Sequence, residues 1–223
     1  MTSKDDEPEA PASSVCYLGE PTDPDPRDPQ AVALWRRGER ARLRAERMAL
    51  SVEVRQAKAE ALTRHLDTFV ASRLGDLTGR VVSGYWPIKG ELDLRPWMTA
   101  LHERGAMLAL PVVEVPGTPL IFRRWSPGLK MERGHWGIPV PPAESLQMTP
   151  EVSLAPVMGW DGEGYRLGYG GGYFDRTLAS LSPVPLAIGV GVQAARISSI
   201  HPQPHDIALS AIVTEAGLQF ARA

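Results

Sequence analysis

The hydrophobic and polar positions of this chain change period several times, and each change predicts an element. Leu34, Ala41, Ala45, Met48 and Val52 recur at roughly helical spacing, so residues 31–50 predict a first helix with these side chains as its apolar stripe. Ser51 predicts an N-cap for a second helix. Ala59, Leu62, Leu66, Phe69 and Val70 form its buried stripe, and Leu74-Gly75 closes it. Residues 80–86 read as a strand running into the polar turn Pro87-Ile88-Lys89-Gly90-Glu91-Leu92-Asp93. A short helix follows over 96–103, with Asp93 or Leu94 at its cap, Pro96 at its start and Gly105 as its stop. Residues 107–113 and 119–125 predict two more strands, the second interrupted in its alternation by Arg123 and Arg124. Residues 126–150 predict a long loop. An apolar strand over 152–160 leads into a glycine-rich stretch and a helix over 173–181. Residues 185–192 read as a buried strand and 207–214 as the last one. Strands alternating with helices predict one α/β domain over residues 31–223, with a mainly parallel sheet and no internal repeat.

Residues 1–30 do not fit that pattern. They are rich in Asp, Glu and Pro, as in Thr22-Asp23-Pro24-Asp25-Pro26, and predict a disordered acidic tail. The whole chain has 223 residues, 43% of them hydrophobic and 22% charged, enough for one domain with a sizeable core. A net charge of −2 argues against a large nucleic-acid footprint. No apolar run approaches the length of a membrane span, and the start of the chain lacks the apolar segment of a signal peptide. The single cysteine, Cys16, excludes an internal disulfide framework and a cysteine-based zinc site, and predicts a reducing, cytoplasmic setting. A small-molecule partner and a monomeric state are also expected.

The candidate chemistry centres on Arg166-Leu167-Gly168-Tyr169-Gly170-Gly171-Gly172-Tyr173-Phe174-Asp175-Arg176. Glycines this dense cost backbone entropy and let a backbone approach a ligand closely. Free N–H groups at the start of a helix suit an anion, two arginines flank them, and Asp175 offers a hard oxygen to Mg2+. No Gly-Lys-Ser/Thr follows, and Tyr173 stands where a dinucleotide fingerprint needs its last glycine. The stretch therefore predicts either a phosphate loop of another kind or a plain glycine-rich turn. Arg36 and Arg40, one turn apart, can project from one side of the first helix as a polyphosphate clamp, or belong to a solvated face. Lys89 and Glu91 lie at a strand's C-terminal end, where open α/β sheets bind ligands, and Glu91 is the better candidate because capping does not require it. Trp136, in His135-Trp136-Gly137-Ile138-Pro139, either stacks on a flat ligand or pins its loop. The prolines in His201-Pro202-Gln203-Pro204-His205-Asp206 rule out a helical zinc pair, leaving Asp206 as a turn residue or a second Mg2+ ligand.

Four stretches in order, Tyr85 to Asp93, Trp136 to Pro139, Arg166 to Arg176 and Pro204-His205-Asp206, together resemble the 5-formyltetrahydrofolate cyclo-ligase family, also called 5,10-methenyltetrahydrofolate synthetase. The resemblance covers about residues 34–215. It implies a three-layer α/β/α fold of the kind seen in sugar-phosphate isomerases and CoA transferases, and an ATP- and Mg2+-dependent ring closure of 5-formyltetrahydrofolate. It also implies residue roles. Arg36 and Arg40 match a basic pair that contacts ATP, and Arg166, Leu167, Gly168, Tyr169, Gly170, Gly171, Gly172, Tyr173 and Phe174 match the ATP loop. Asp175 and Asp206 match acids that hold Mg2+, and Trp86, Glu91, Trp136 and Tyr173 match folate contacts; Lys89 and Arg166 are the catalytic candidates that the chemistry itself suggests, Lys89 as a cation within reach of the transferred phosphoryl group. The chain departs from the pattern at Arg36, usually Lys, at Phe174, usually Tyr, and at Val140, often polar. A non-catalytic nucleotide- or folate-binding relative, and an isomerase or transferase on a similar sheet, are the rival readings.

Overall fold

The computed structural model describes residues 23–222; the acidic stretch up to residue 22, with Cys16, lies outside the described residues. Its elements in order are α1 (Pro29–Ala49), α2 (Val52–Leu74), β1 (Val81–Ser83), α3 (Arg95–Glu103), β2 (Met107–Val112), β3 (Ile121–Trp125), β4 (Glu132–Arg133), β5 (Pro139–Val140), β6 (Val152–Pro156), β7 (Gly159–Trp160), β8 (Arg166–Leu167), α4 (Tyr173–Ser180), β9 (Leu186–Val190), β10 (Ala211–Thr214) and β11 (Gly217–Ala221). Seven strands form one sheet in the order β11-β10-β9-β6-β1-β2-β3. The inner pairs are parallel, and β11 and β3 close the edges antiparallel. Crossover α3 carries β1 to β2 and crossover α4 carries β6 to β9, in opposite directions along the sheet. Right-handed crossovers in opposite directions lay their helices on opposite faces, which gives the layered α/β architecture.

The helix ends follow local rules. Asp28 caps α1, its Oδ1 accepting from Gln30 N at 2.9 Å and Ala31 N at 3.1 Å, and Pro29 occupies a position where no donor is needed. Helix formation thus begins inside the segment expected to be tail. Ser51 caps α2 through Val54 N, and Gly75, at φ 69°, ends it. The buried face of α2 is Ala59, Leu62, Leu66, Phe69 and Val70, as its period predicts. Each such side chain contributes roughly 1.5–3 kcal/mol by leaving water.

In α1 the outcome is the reverse. Leu34 and Met48 face solvent with Ala41 and Ala45 exposed beside them, and Val52 falls outside α1, as the exposed first residue of α2. The buried face is Val32, Trp35, Arg36, Glu39, Leu43 and Arg47. Glu39 pairs with Arg42 one turn on in the same helix, and Arg36 and Arg47 find partners in other segments, as described below.

Other boundaries also differ from expectation. The strand expected over 80–86 pairs only at Val81–Ser83, then bends away after Gly84 N meets Ala109 O at 3.1 Å. The apolar run 152–160 is two strands, β6 and β7, and β7 leaves the main sheet to pair with β8. The long loop over 126–150 contains the β4–β5 hairpin, joined by a single helical turn at His135–Gly137. The strand expected over 207–214 covers Ala211–Thr214 and is followed by β11. No helix among the described residues is long and apolar enough to cross a membrane.

Candidate active site

The 21-residue helix α1 lies across the loops that leave the sheet, touching a different one with each turn of its buried face. Arg36 Nε donates to Ile200 O at 2.9 Å, Arg40 Nε to Gly168 O at 2.7 Å, and Arg47 Nε to Lys89 O at 3.2 Å. Positions 36, 40 and 47 share one side of a helix, so one straight rod ties together three segments distant in sequence.

The cavity beneath α1 is lined by Arg36, Arg40, Trp86, Glu91, Trp136, the whole of Arg166 to Asp175, and Asp206. Every proposed site residue except Lys89 is therefore on one wall or another of the same space. Leu110, Pro111, Val113 and Leu120 supply an apolar side. Lys89 lines an adjoining groove with Arg40, Arg44, Trp86, Trp136 and Tyr169, its Nζ 5.4 Å from the Tyr169 ring centroid.

The glycine loop follows β8 and ends on α4. Gly170 has φ 94° and Gly172 φ 62°, the left-handed values that require glycine. Gly172 is the N-cap of α4 and supplies no side-chain cap. The backbone N–H groups from Tyr169 to Phe174 donate to no other group among the described residues. Arg166 packs against Gly168, Arg40 against Gly170 and Arg176 against Gly172, so guanidinium groups surround the bend.

Two of the cations near this bend are neutralised and two are not. Arg166 Nη2 donates to Asp175 Oδ2 at 2.9 Å. Arg36 donates to both oxygens of Asp206, at 3.2 and 2.5 Å. Arg40 and Arg176 have no carboxylate partner among the described residues. Burial, reinforced by Arg36 and Arg166 nearby, pulls the Arg40 guanidinium below its ordinary pKa, the mark of a cation short of counter-charge. An anion with several charges would satisfy this set. Burial works to raise Asp206, but hydrogen bonds from Arg36 and Gln203 N outweigh it and hold the carboxyl below its usual range.

Glu91 sits at the far side of the cavity, 9% exposed. Its Oε2 accepts from Ile88 N at 2.9 Å, closing the turn in which Lys89 has φ 49° and Gly90 φ 78°. Capping of α3 does not use Glu91, since Leu94 is the N-cap and no side chain caps the helix, but the preceding turn does use it. Its Oε1 accepts from Tyr169 Oη at 2.9 Å, and Tyr169 Oη in turn accepts from Arg47 Nη2 at 2.6 Å. Burial raises the Glu91 carboxyl above its ordinary value, opposed by Ile88 N, Arg47, Tyr169 and Lys89. Arg47 was not among the sequence candidates, although it lies seven positions from Arg40, on the same helical side.

Trp136 is 65% exposed at the mouth, held at φ 56°. Its ring meets Tyr173 edge-on, with centroids 5.6 Å apart, and lines both the cavity and the groove. Left-handed backbone at a tryptophan is costly, and such strain concentrates at functional sites. Trp86 lies under the Arg95 guanidinium, 4.6 Å from its centroid, and lines both spaces as well.

The family model for the 5-formyltetrahydrofolate cyclo-ligase family matches residues 32–215. The chain belongs to that family. It is 30% identical over 184 residues to the 5-formyltetrahydrofolate cyclo-ligase of Mycolicibacterium smegmatis, covering 78% of this chain and 91% of that one. It is 25% identical over 178 residues to the Escherichia coli enzyme of the same name, covering 77% and 96%. Among solved structures, Aquifex aeolicus 5,10-methenyltetrahydrofolate synthetase superposes with a TM-score of 0.69 at 29% identity, over 84% of this chain and 93% of that one. A Mycoplasma pneumoniae 5,10-methenyltetrahydrofolate synthetase, at 22% identity and a TM-score of 0.65 over 81% and 98%, shares the fold. The chain is an enzyme of the cyclo-ligase family, and the three-layer α/β expectation stands.

Proposed function

We propose that this enzyme converts 5-formyltetrahydrofolate to 5,10-methenyltetrahydrofolate with ATP and Mg2+, releasing ADP and phosphate, as a cytoplasmic monomer acting on a small molecule. The observation that supports this most is the pairing, in one cavity, of a bare N–H bend flanked by two uncompensated arginines with a buried carboxylate and exposed aromatics. The first half suits a triphosphate and the second a reduced pterin, whose ring N–H groups donate to a carboxylate.

Mg2+ fits the residues present in one particular way. Asp175 and Asp206 are the two acids beside the bend, each already held by an arginine, and no group of three potential ligands exists among the described residues. Mg2+ commonly takes one or two carboxylates and completes its shell with water and substrate phosphates. Asp175 and Asp206 would hold it on those terms.

ATP supplies the phosphoryl group that turns the formyl oxygen into a leaving group, so that N10 can bond to the formyl carbon as phosphate departs. The chain's own residues position and neutralise. The loop N–H groups, Arg40 and Arg176 hold the phosphates, and Arg36 and Arg166 keep the Asp206 and Asp175 carboxylates aimed. Glu91 fixes the pterin through its N–H donors, and Trp86 and Trp136 cover the flat rings. Lys89 would approach the transferred phosphoryl group from the adjoining groove.

The test is direct. Protein, Mg-ATP and 5-formyltetrahydrofolate are mixed, and the methenyl absorbance and ADP are followed together. Equimolar appearance of both is expected. No absorbance change, or product formed without ATP, would overturn the reading.

A further inference from the structure

Glu91 reaches the cavity from a turn after β1, and the glycine loop reaches it from β8. They meet through one hydroxyl. Tyr169 belongs to the loop and donates its only proton to Glu91 Oε1 at 2.9 Å. That direction is enforced, because Arg47 Nη2 points a donor at the same oxygen at 2.6 Å. A hydroxyl that accepts from a guanidinium has its proton free for the carboxylate alone. The Arg47 Nε also donates to Lys89 O at 3.2 Å, so the same side chain pins the turn that carries Glu91.

We propose that Arg47 and Tyr169 are positioning residues for Glu91, a chain running from α1 through the glycine loop that fixes the carboxylate in its pterin-binding orientation. Neither touches the reacting atoms in this role. Tyr169 is in the loop, but its hydroxyl is engaged by Glu91 and Arg47. The inference rests on the functional reading above and adds to it a link between its two halves.

The groups facing Glu91 define what the link does. Arg47 and Glu46 approach from α1, Tyr169 from the loop, Tyr85 from the end of β1, and Lys89 and Ile88 N from its own turn. Glu46 is itself bound by Arg42 at 2.8 Å. Of the side chains that favour the ionised carboxylate, Arg47 and Tyr169 are the two joined by hydrogen bonds in a chain. Removing either leaves Glu91 buried with less to hold its charge, so it must take up a proton at higher pH.

The test uses the full chain with Tyr169→Phe, Arg47→Met and the double variant, each checked for an unchanged melting curve, with Arg47→Lys as the conservative control. Two readouts are taken: calorimetric affinity for 5-formyltetrahydrofolate without nucleotide, and the pH profile of kcat/KM. Each single variant is expected to lose about tenfold in folate affinity, the scale of one charge-assisted hydrogen bond, while the KM for ATP moves less than about twofold. The acid limb is expected to move to higher pH in both, and the double variant to be little worse than either single, because the two act in one chain. Arg47→Lys should recover part of the affinity. Unchanged folate affinity, an unmoved acid limb, or losses that fall on ATP alone would overturn the proposal. A wild-type protein that neither binds nor turns over the folate would instead remove the functional reading beneath it.

Discussion

Arg36 grips both carboxylate oxygens of Asp206, Nη1 to Oδ1 at 3.2 Å and Nη2 to Oδ2 at 2.5 Å, while its remaining donors reach the carbonyls of Ile200 and His201 at 2.9 Å each. The side chain is 8% exposed. An arginine so fully used anchors the 200–206 segment to α1 before any nucleotide arrives. Arg36→Ala would leave the Asp206 carboxylate, 10% exposed, with Gln203 N but no guanidinium, His201 O with Gln203 Nε2 alone, and Ile200 O without a partner. A loss of about 3 kcal/mol in denaturant unfolding is expected, on the scale of breaking a buried pair. Arg36→Lys keeps the charge and loses the fork, so a smaller loss is expected.

Because Asp175 and Asp206 are each bound by an arginine, the divalent ion has weak claim on them alone. Binding of Mn2+ as a paramagnetic substitute is expected to be negligible without nucleotide and strong with a non-hydrolysable ATP analogue. Asp175→Asn should abolish the second signal and turnover while the protein stays folded. Tight metal binding by the nucleotide-free protein would contradict the assignment.

Glu91 carries a pH prediction whose sign is fixed by burial. Its carboxyl lies above its ordinary value, chiefly through desolvation. Pterin binding uses the ionised form, so kcat/KM for the folate is expected to be full above the raised pKa and to fall as pH drops through it. That fall should lie above the usual glutamate value of about 4.3. Stability runs the other way. A carboxyl with a raised folded pKa favours the fold below its unfolded pKa, and that contribution is lost as pH rises through the folded value. Glu91→Gln should raise the folate KM by about tenfold or more, as loss of a charge-assisted contact does. It should also flatten the melting temperature against pH over the same window.

Trp136 is exposed and strained, so function and stability should separate there. Trp136→Gly relieves a left-handed backbone worth about 1–2 kcal/mol and removes little packing. The melting temperature is expected not to fall, while the folate KM rises several-fold. A large loss of stability would mean that the ring is a structural pin.

What could be read from the sequence followed the physics of each segment. The α2 stripe was legible because Ala59, Leu62, Leu66, Phe69 and Val70 face a continuous apolar surface, and periodicity reports such a surface. The α1 stripe misled because its inward face meets polar loop backbone. Arg36 and Arg47 bury themselves by hydrogen bonding, leaving Leu34 and Met48 outside. The unbroken apolar run through Val157 and Met158 gave no sign that β7 departs to pair with β8, since both strands are buried. In the site, residue types with a distinctive local need were found: the glycines, Trp136 beside Gly137, and the acids next to turns. Lys89 fell outside the cavity because a left-handed Lys89-Gly90 turn directs it to the groove, a conformation that spacing does not reveal. Arg47 escaped because its partners, Tyr169 and Lys89, lie 122 and 42 positions away.

The bridges of α1 to the far end of the chain span 128, 164, 165 and 170 positions. Contacts of such reach form late, since the loop between them must close first. The anchors of Arg36 at Ile200, His201 and Asp206 lie 164, 165 and 170 positions further along the chain, so the seating of α1 depends on how that distant segment folds. Disorder confined to residues 200–206 would therefore unseat the helix that also meets Gly168 and Lys89, coupling a distant turn to the whole cavity.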